Sequence, residues 1–402
     1  MARIWNHSIK LMTSKHKQPF DPAQGKTNTP LKRKVFVAMS GGVDSSFVAL
    51  LLQKQGYELV GCYIKGWYPP GVVCNWKEDR RDAMRVCAKL GIPFITVDAE
   101  KEYKKEVVDY MINEYKIGRT PNPDIMCNKS VKFGVFLKKV LEMGADYIAT
   151  GHYVRLRRNL KSKISKIKSN SKLLQARDLN KDQSYFLWTL TQEQLKHCFF
   201  PLGDLLKSEV RGIAKKNDLA TAEKEESQGV CFIGEFNMED FLKKYIKPQK
   251  GKVITAEGKI IGEHNGLAFY TIGQRHGFGF GGGEDGPYYI VEKDFQNNRL
   301  IVAEKKEEKK FARREIVIEN TNWISSIPEI SKKYRARIRY RQPLEECEII
   351  KINSGDNNVK DKILLSQKSV LVRFKNPQRA VTPGQSLVVY DEKEMMGGGI
   401  IS

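Results

Sequence analysis

The sequence predicts an α/β protein: a parallel-sheet, Rossmann-like domain, then a small central domain, then a C-terminal β-barrel. Three observations carry this. In the first half, short apolar runs alternate with amphipathic stretches, the pattern of a parallel sheet with helices on both faces. Near residue 250 the texture changes to glycine and short alternating segments. From 316 onward short strands are punctuated by the turn signals INSGDNN, NPQ and TPGQ, as in a small barrel. A chain of 402 residues suits two or three domains. The boundaries read as a disordered extension over 1–33, a catalytic domain over 34–225, a β-rich domain over 226–303 and the barrel over 310–402, with the mixed-charge EKKEEKKFARRE at 304–315 as a linker.

Taken in order, Val35–Met39 is a buried strand followed by a glycine-rich turn, and SSFVALLLQK (Ser45–Lys54) is a helix closed by Gly56. Glu58–Ile64 reads as a strand, Arg80–Leu90 as a helix and Pro93–Val97 as a strand. Phe133, Phe136, Leu137, Val140 and Leu141 form the stripe of an amphipathic helix starting near Ser130. Asp146–Thr150 is another strand. Ligands on such sheets bind at the carboxyl ends of the strands, where the glycine-rich turn, Ile64 and Gly151-His152 fall. Arg155–Lys172 holds eight basic residues and no acidic one, an exposed charged hairpin or an RNA contact. Arg335, Arg337, Arg339 and Arg341 alternate and would share one face of a strand.

The charge balance, 69 Lys+Arg against 47 Asp+Glu for a formal +22, attracts polyanions and suits a nucleic-acid partner; a lysine-rich proteome gives the same balance. No run approaches the roughly 18 apolar residues of a membrane span. The seven cysteines are odd in number and include no CxxC pair, which argues against a disulfide framework, a structural zinc or a CxxC-held cluster. Reduced thiols in the cytoplasm are the default, with a mitochondrion or plastid as the alternative if residues 1–33 are a presequence. Cys62, Cys87, Cys198 and Cys347 read as small buried hydrophobes.

Three segments carry chemistry. Ser40-Gly-Gly-Val-Asp-Ser-Ser46 lies between a strand and a helix. Its glycines let backbone N–H groups approach an anion, and the helix N-terminus adds unpaired amides and a positive dipole end. It lacks the GK[ST] ending of a Walker-type loop. Gly118-Arg-Thr-Pro-Asn-Pro-Asp-Ile-Met-Cys-Asn-Lys129 places Cys127 just before the amphipathic helix. A helix N-terminus with Lys129 and Lys132 nearby favours the thiolate. Glu226-Ser-Gln-Gly-Val-Cys-Phe-Ile-Gly234 puts Cys231 in a glycine-flanked apolar setting.

SGGVDSS resembles the PP-loop of the N-type ATP pyrophosphatases, which split ATP into AMP and pyrophosphate. With the two cysteine segments, ATGHY (149–153), NKDQSYFL (180–187), GLAFYTIGQRHGFG (266–279) and TPGQ (382–385), the chain resembles the tRNA-specific 2-thiouridylases from about residue 34 to the C-terminus. That resemblance implies ATP-dependent 2-thiolation of the wobble uridine, position 34 of tRNA. In this mechanism ATP adenylates the C2 oxygen, Cys231 carries a persulfide, Cys127 is the nucleophile that liberates its sulfur, and a transient Cys127–Cys231 disulfide closes the turnover. Asp124 matches the acid/base residue. The resemblance implies ATP contacts at Ala38, Met39, Ser40, Gly41, Gly42, Val43, Asp44, Ser45, Ile64 and Gly151. It implies tRNA contacts at Asn122, Pro123, Asp124, His152, Lys181, Asp182, Gln183, Arg339, Tyr340 and Gln385. It further implies ATP with Mg2+, no resident metal in the protein, a monomer, tRNA as partner, and a sulfur-relay protein or cysteine desulfurase as persulfide donor. The stretch Lys65–Cys74 departs from the acidic segment expected there. Two alternatives stay open: a PP-loop synthetase acting on a small molecule, and a non-catalytic RNA-binding protein that keeps the fold.

Overall fold

The computed structural model describes residues 32–69, 76–158, 170–225, 237–275, 286–350 and 369–402. The expectations for residues 1–31, Cys74, the basic tip 159–169, the Cys231 segment 226–236, the glycine run 276–285 and INSGDNN lie outside these residues. The chain divides into two compact units, Met1–Glu102 with Asn128–Gly234 and Lys393–Met395, and Tyr103–Cys127 with Glu235–Glu392 and Met396–Ser402. Residues 103–127, which the sequence reading places in the first domain, thus group with the second unit.

In the first unit β1 (Lys34–Ala38), β2 (Glu58–Lys65), β3 (Phe94–Asp98), β4 (Tyr147–Ala149) and, beyond the hairpin of β5 (Val154–Arg158) and β6 (Ser171–Gln175), β7 (Cys198–Phe199) supply the strands. The sheet order is β3-β2-β1-β4-β7, all parallel. Val35, Phe36 and Val37 are all buried, which is why β1 is continuously apolar rather than alternating. Helix α1 (Val43–Lys54) buries Phe47, Val48, Ala49, Leu50 and Leu52 in that core, and Gly56 at φ +85° ends it. It starts two residues before the expected Ser45 because Gly42 takes an extended N-cap conformation. Helix α2 (Trp76–Leu90) buries one face through Ala83, Val86 and Cys87. The stripe Phe133, Phe136, Leu137 and Val140 is buried as expected, on a π-helical segment (Cys127–Phe136) and α3 (Leu137–Glu142). Helix α4 (Lys207–Lys216) packs Val210 and Ala214 into the same core. The basic segment is a β5–β6 hairpin at its base, Val154 pairing with Gln175 and Arg158 with Ser171, and Glu394 and Met395 pair with Leu174 and Leu173.

In the second unit β8 (Gly251–Thr255), β9 (Ile260–His264), β10 (Tyr288–Asp294) and β11 (Arg299–Glu304) form a sheet of order β10-β11-β8-β9. Val253, Leu267, Ile290, Leu300 and Val302 are its core. The barrel follows from β12 (Arg313–Trp323), β13 (Lys333–Arg337), β14 (Glu345–Ile350), β15 (Ser369–Gln378), β16 (Ser386–Asp391) and β17 (Glu394–Ile401). Their order is β12-β15-β14-β13-β16-β17, and β12–β17 pairing closes the ring, which removes free sheet edges. Ile318, Ala336, Ile349, Val372, Leu387 and Val389 fill it.

Two expectations are corrected here. NPQ is no turn: it ends β15, where the register opposite β12 jumps between Arg313 and Glu315, and the interrupted ladder tolerates a proline without an N–H. Nor do the four arginines share a strand face, because β13 ends at Arg337 and Arg341 takes φ +63° in the following turn. Among the described residues no helix is long and apolar enough to cross a membrane.

Candidate active site

The nucleotide loop leaves the sheet where the strand order reverses, between β1 and β4, the place where open α/β sheets bind ligands. Met39 N donates to Cys62 O at 2.7 Å, carrying the strand pairing one residue past Ala38. Gly41 then turns at φ +77°, and a Cβ there would overlap the Asp79 carbonyl of α2, so glycine is required. Ser45 is the internal brace: its Oγ accepts from Ser40 N at 3.1 Å and lies 3.2 Å from Ser40 Oγ and from Gly42 O. Gly42 supplies no side-chain cap, which leaves the first amides of α1 for an anion. Val43 and Ile64 are buried, Ile64 pairing with Val97 at the end of β2. At Gly151 a Cβ would stand 3.0 Å from Asp44 Cβ and 3.2 Å from Ser45 N, so a side chain would crowd the start of α1.

Asp44 is the acidic residue of the loop, and a bare carboxylate would repel a polyphosphate. The fold answers this with Lys207, whose Nζ reaches both Asp44 oxygens at 2.7 and 2.8 Å. Tyr153 adds a hydroxyl donor at 2.9 Å. Sequence reasoning missed both partners. In the fold Lys207 is the first residue of α4 and is buried, where a cation at a helix N-terminus is unfavourable without a carboxylate beside it. Lys224 was missed too. It joins Asp79 and Asp82 of α2 at 2.8 and 2.7 Å, on the chain leading toward Cys231.

His152 is buried, with Nδ1 2.7 Å from Thr150 Oγ1 and its ring against Phe133 and Phe200. Burial, helped by the Lys132 charge, holds its pKa well below the usual imidazole value, so it is neutral at physiological pH. Asp182 is buried and accepts from Ala176 N, Ser184 N and Ser184 Oγ at 3.1, 3.2 and 2.9 Å. Gln183 accepts from Tyr153 N at 3.0 Å, and Lys181 N donates to Asp178 O at 3.1 Å. The KDQ segment is thus tied to the strand that follows Gly151.

In the second unit the helix carrying Cys127 begins earlier than expected. Asn122 is its N-cap, accepting from Ile125 N at 3.3 Å, and Pro123 is its first residue. Cys127, expected before a helix starting near Ser130, therefore lies a turn inside one, at the head of the π-helical segment, and is fully buried. The dipole of a helix acts over its first turn, so the help it gives a thiolate here is smaller than the sequence suggested. π-Helical insertions concentrate at functional sites. Asp124 stands within the first turn, half-buried. Arg339 places Nη2 on Ile272 O, Ala380 O and Thr382 Oγ1 at 2.6, 3.1 and 2.7 Å, Tyr340 lies under the Arg341 guanidinium at 5.2 Å, and Gln385 donates to Thr120 O and Pro121 O at 2.9 and 3.2 Å. The structure thus brings Asn122, Pro123, Asp124, Cys127 and Gln385 into one unit and the nucleotide loop, Gly151 and the KDQ segment into the other. The four cysteines read as structural are buried, and burial raises all four thiols, Cys87 and Cys347 to about 12.

Comparison with known proteins agrees with this architecture. The family described as tRNA methyl transferase HUP domain matches residues 33–235, its PRC-barrel domain matches 239–304, and an aminomethyltransferase β-barrel domain matches 349–401. The tRNA-specific 2-thiouridylase MnmA of Pseudomonas paraeruginosa is 45% identical, over 93% of this chain and 95% of that one. The Streptococcus thermophilus protein of the same name is 44% identical over 92% and 95%. Among solved structures, the U34-tRNA thiolase NcsA from Methanococcus maripaludis aligns with a TM-score of 0.36 and 16% identity over 60% of this chain and 70% of that one, too distant to carry an argument. Near-full-length identity at this level, on a chain with the SGGVDSS loop in place, means that the protein belongs to the tRNA-specific 2-thiouridylase family.

Proposed function

We propose that this enzyme uses ATP to replace the C2 oxygen of the wobble uridine, U34, of tRNA with sulfur, releasing AMP and pyrophosphate. The observation that carries the reading is the nucleotide loop itself: a glycine turn at the switch point, the uncapped amides of α1, and a carboxylate already neutralised by Lys207. Phosphates of ATP would sit over those amides, with Ala38 to Ser45, Ile64 and Gly151 lining the site. Among the described residues no group of three or more His, Cys, Asp or Glu converges, so Mg2+ would be held chiefly by the phosphates, with Asp44 as the nearest loop carboxylate.

In the proposed sequence the C2 oxygen attacks the α-phosphorus and pyrophosphate leaves. Cys231 carries a persulfide delivered by a sulfur-relay protein or desulfurase. The Cys127 thiolate attacks the inner sulfur, forming a Cys127–Cys231 disulfide and freeing hydrosulfide, which displaces AMP at C2. A thiol reductant then restores the cysteines. Asp124, three residues before Cys127, would move the proton. Uridine would enter an anticodon-loop site formed by Asn122, Pro123 and Asp124, with Lys181, Asp182, Gln183, His152, Arg339, Tyr340 and Gln385 supporting the tRNA. Since the polar ends of Asp182, Arg339 and Gln385 are engaged within the chain, their support would be through the segments they order. The formal charge of +22 favours tRNA capture and should make affinity fall steeply with salt.

The test is release of AMP and pyrophosphate from ATP on adding unmodified tRNA. Release that requires a wobble uridine supports the proposal; equal release without tRNA overturns it.

A further inference from the structure

We infer that Lys293 is a positioning residue for the segment that accepts the target base, fixing the 118 end of the loop that leads into Asn122, Asp124 and Cys127. The inference rests on the proposed role of that loop. Gly118–Pro121 contains one of two closely spaced prolines and belongs to no strand, so its backbone groups must find partners elsewhere. The amides of Gly118 and Arg119 bond back to Tyr115 O and Glu114 O at 2.9 Å each, and the other partners lie far along the chain. Lys293 Nζ, on β10, donates to Gly118 O at 3.1 Å. Thr120 N donates to Pro383 O at 2.8 Å, and Gln385 takes the next two carbonyls. Arg119 donates to Ile401 O at 2.9 Å. The barrel therefore holds 119–121, while β10 holds 118.

Steric fit at the Lys293 end is close. Gly118 has φ +81°, and a Cβ there would overlap the ring of Phe295, two residues past Lys293. At the other end a Cβ on Gly384 would stand 2.9 Å from the backbone of Thr120. Lys293 is partly buried and, among the described residues, no carboxylate pairs with it. Burial lowers its ammonium to about 8. A cation drawn from water and spent on a single carbonyl is costly for stability, and such an arrangement is expected where the position of that carbonyl matters.

The test uses the full chain with Lys293→Met, which keeps the aliphatic stem and removes the donor. Two readouts apply. The kcat for tRNA thiolation should fall about tenfold, the value of one charge-assisted hydrogen bond, with KM for ATP unchanged. Independently of activity, alkylation of buried Cys127 by iodoacetamide, read by peptide mass spectrometry, should accelerate about tenfold relative to Cys347 inside the barrel. Lys293→Arg, which keeps a donor, should restore most of the protection. Should Lys293→Met not fold, Phe295→Ala, at an exposed position, should give the same selective rise on a smaller scale. Unchanged Cys127 alkylation, or Cys127 and Cys347 accelerating together, overturns the inference. Loss of tRNA-dependent AMP release in the wild type would instead overturn the functional proposal, and the alkylation result would still decide the role of Lys293.

Discussion

The loops at Ser40–Ser46 and Gly118–Cys127 are both short and both proposed to carry chemistry, yet they are held in opposite ways. The first is braced from within. Ser45 closes on Ser40 and Gly42, three to five residues away, and α1 continues straight out of it. The second is braced from outside, by Lys293, Gln385 and Arg119–Ile401 bonds that span 175, 265 and 282 residues. A self-braced loop can be carried as a motif. An externally braced one depends on the rest of its unit being folded, so lesions in the barrel should reach Cys127 without touching the nucleotide loop.

The sharpest way to break this comparison is Asp44→Ala. It leaves Lys207 buried beside the loop without its carboxylate, the situation in which loss of one partner of a buried ion pair costs about 3 kcal/mol or more. Urea unfolding should show that loss, and AMP release should fall below detection. Full activity would mean that the self-braced loop does not need its long-range ties to Lys207 and Tyr153.

Next in size is Gly118→Ala, which forces a side chain onto φ +81° and against Phe295. Adopting a left-handed conformation costs about 1–2 kcal/mol. The expected outcome is a lower kcat for thiolation with KM for ATP unchanged; a raised KM for ATP would erase the distinction between the two loops.

A third effect is a pH trend shared by both units. In the folded chain the thiols of Cys87 and Cys347 hold their protons up to about 12, while unfolded thiols release theirs near 8.5. Between those values the native state binds more protons than the unfolded one, so stability falls as pH rises above about 9. Urea midpoints at pH 8 and pH 10 check this, and Cys347→Ala should flatten the barrel's share. A midpoint that rises with pH would contradict the assignment.

What was legible followed the same division. Strands β1 to β4 and the closure of α1 at Gly56 lie within a residue or two of their expected places, because buried parallel strands and glycine stops are local signals. The nucleotide loop was legible for the same reason. The start of the Cys127 helix was misplaced at Ser130 although Asn122-Pro123 is a local N-cap and first-turn signal; the apolar stripe beginning at Phe133 outweighed it. The partners Lys207, Lys293 and Gln385 were either unseen or given another role, because a lysine or glutamine aimed at a carboxylate or carbonyl more than a hundred residues away leaves no pattern in the chain. NPQ misled because a proline at an interrupted ladder looks the same, in sequence, as a proline in a turn.

The most direct test of the whole account is nucleoside mass spectrometry of tRNA from cells in which this gene is replaced by Cys127→Ser or Cys231→Ser. 2-Thiouridine at the wobble position should disappear in both while the variants still bind tRNA. Wild-type levels of 2-thiouridine in either strain would contradict it.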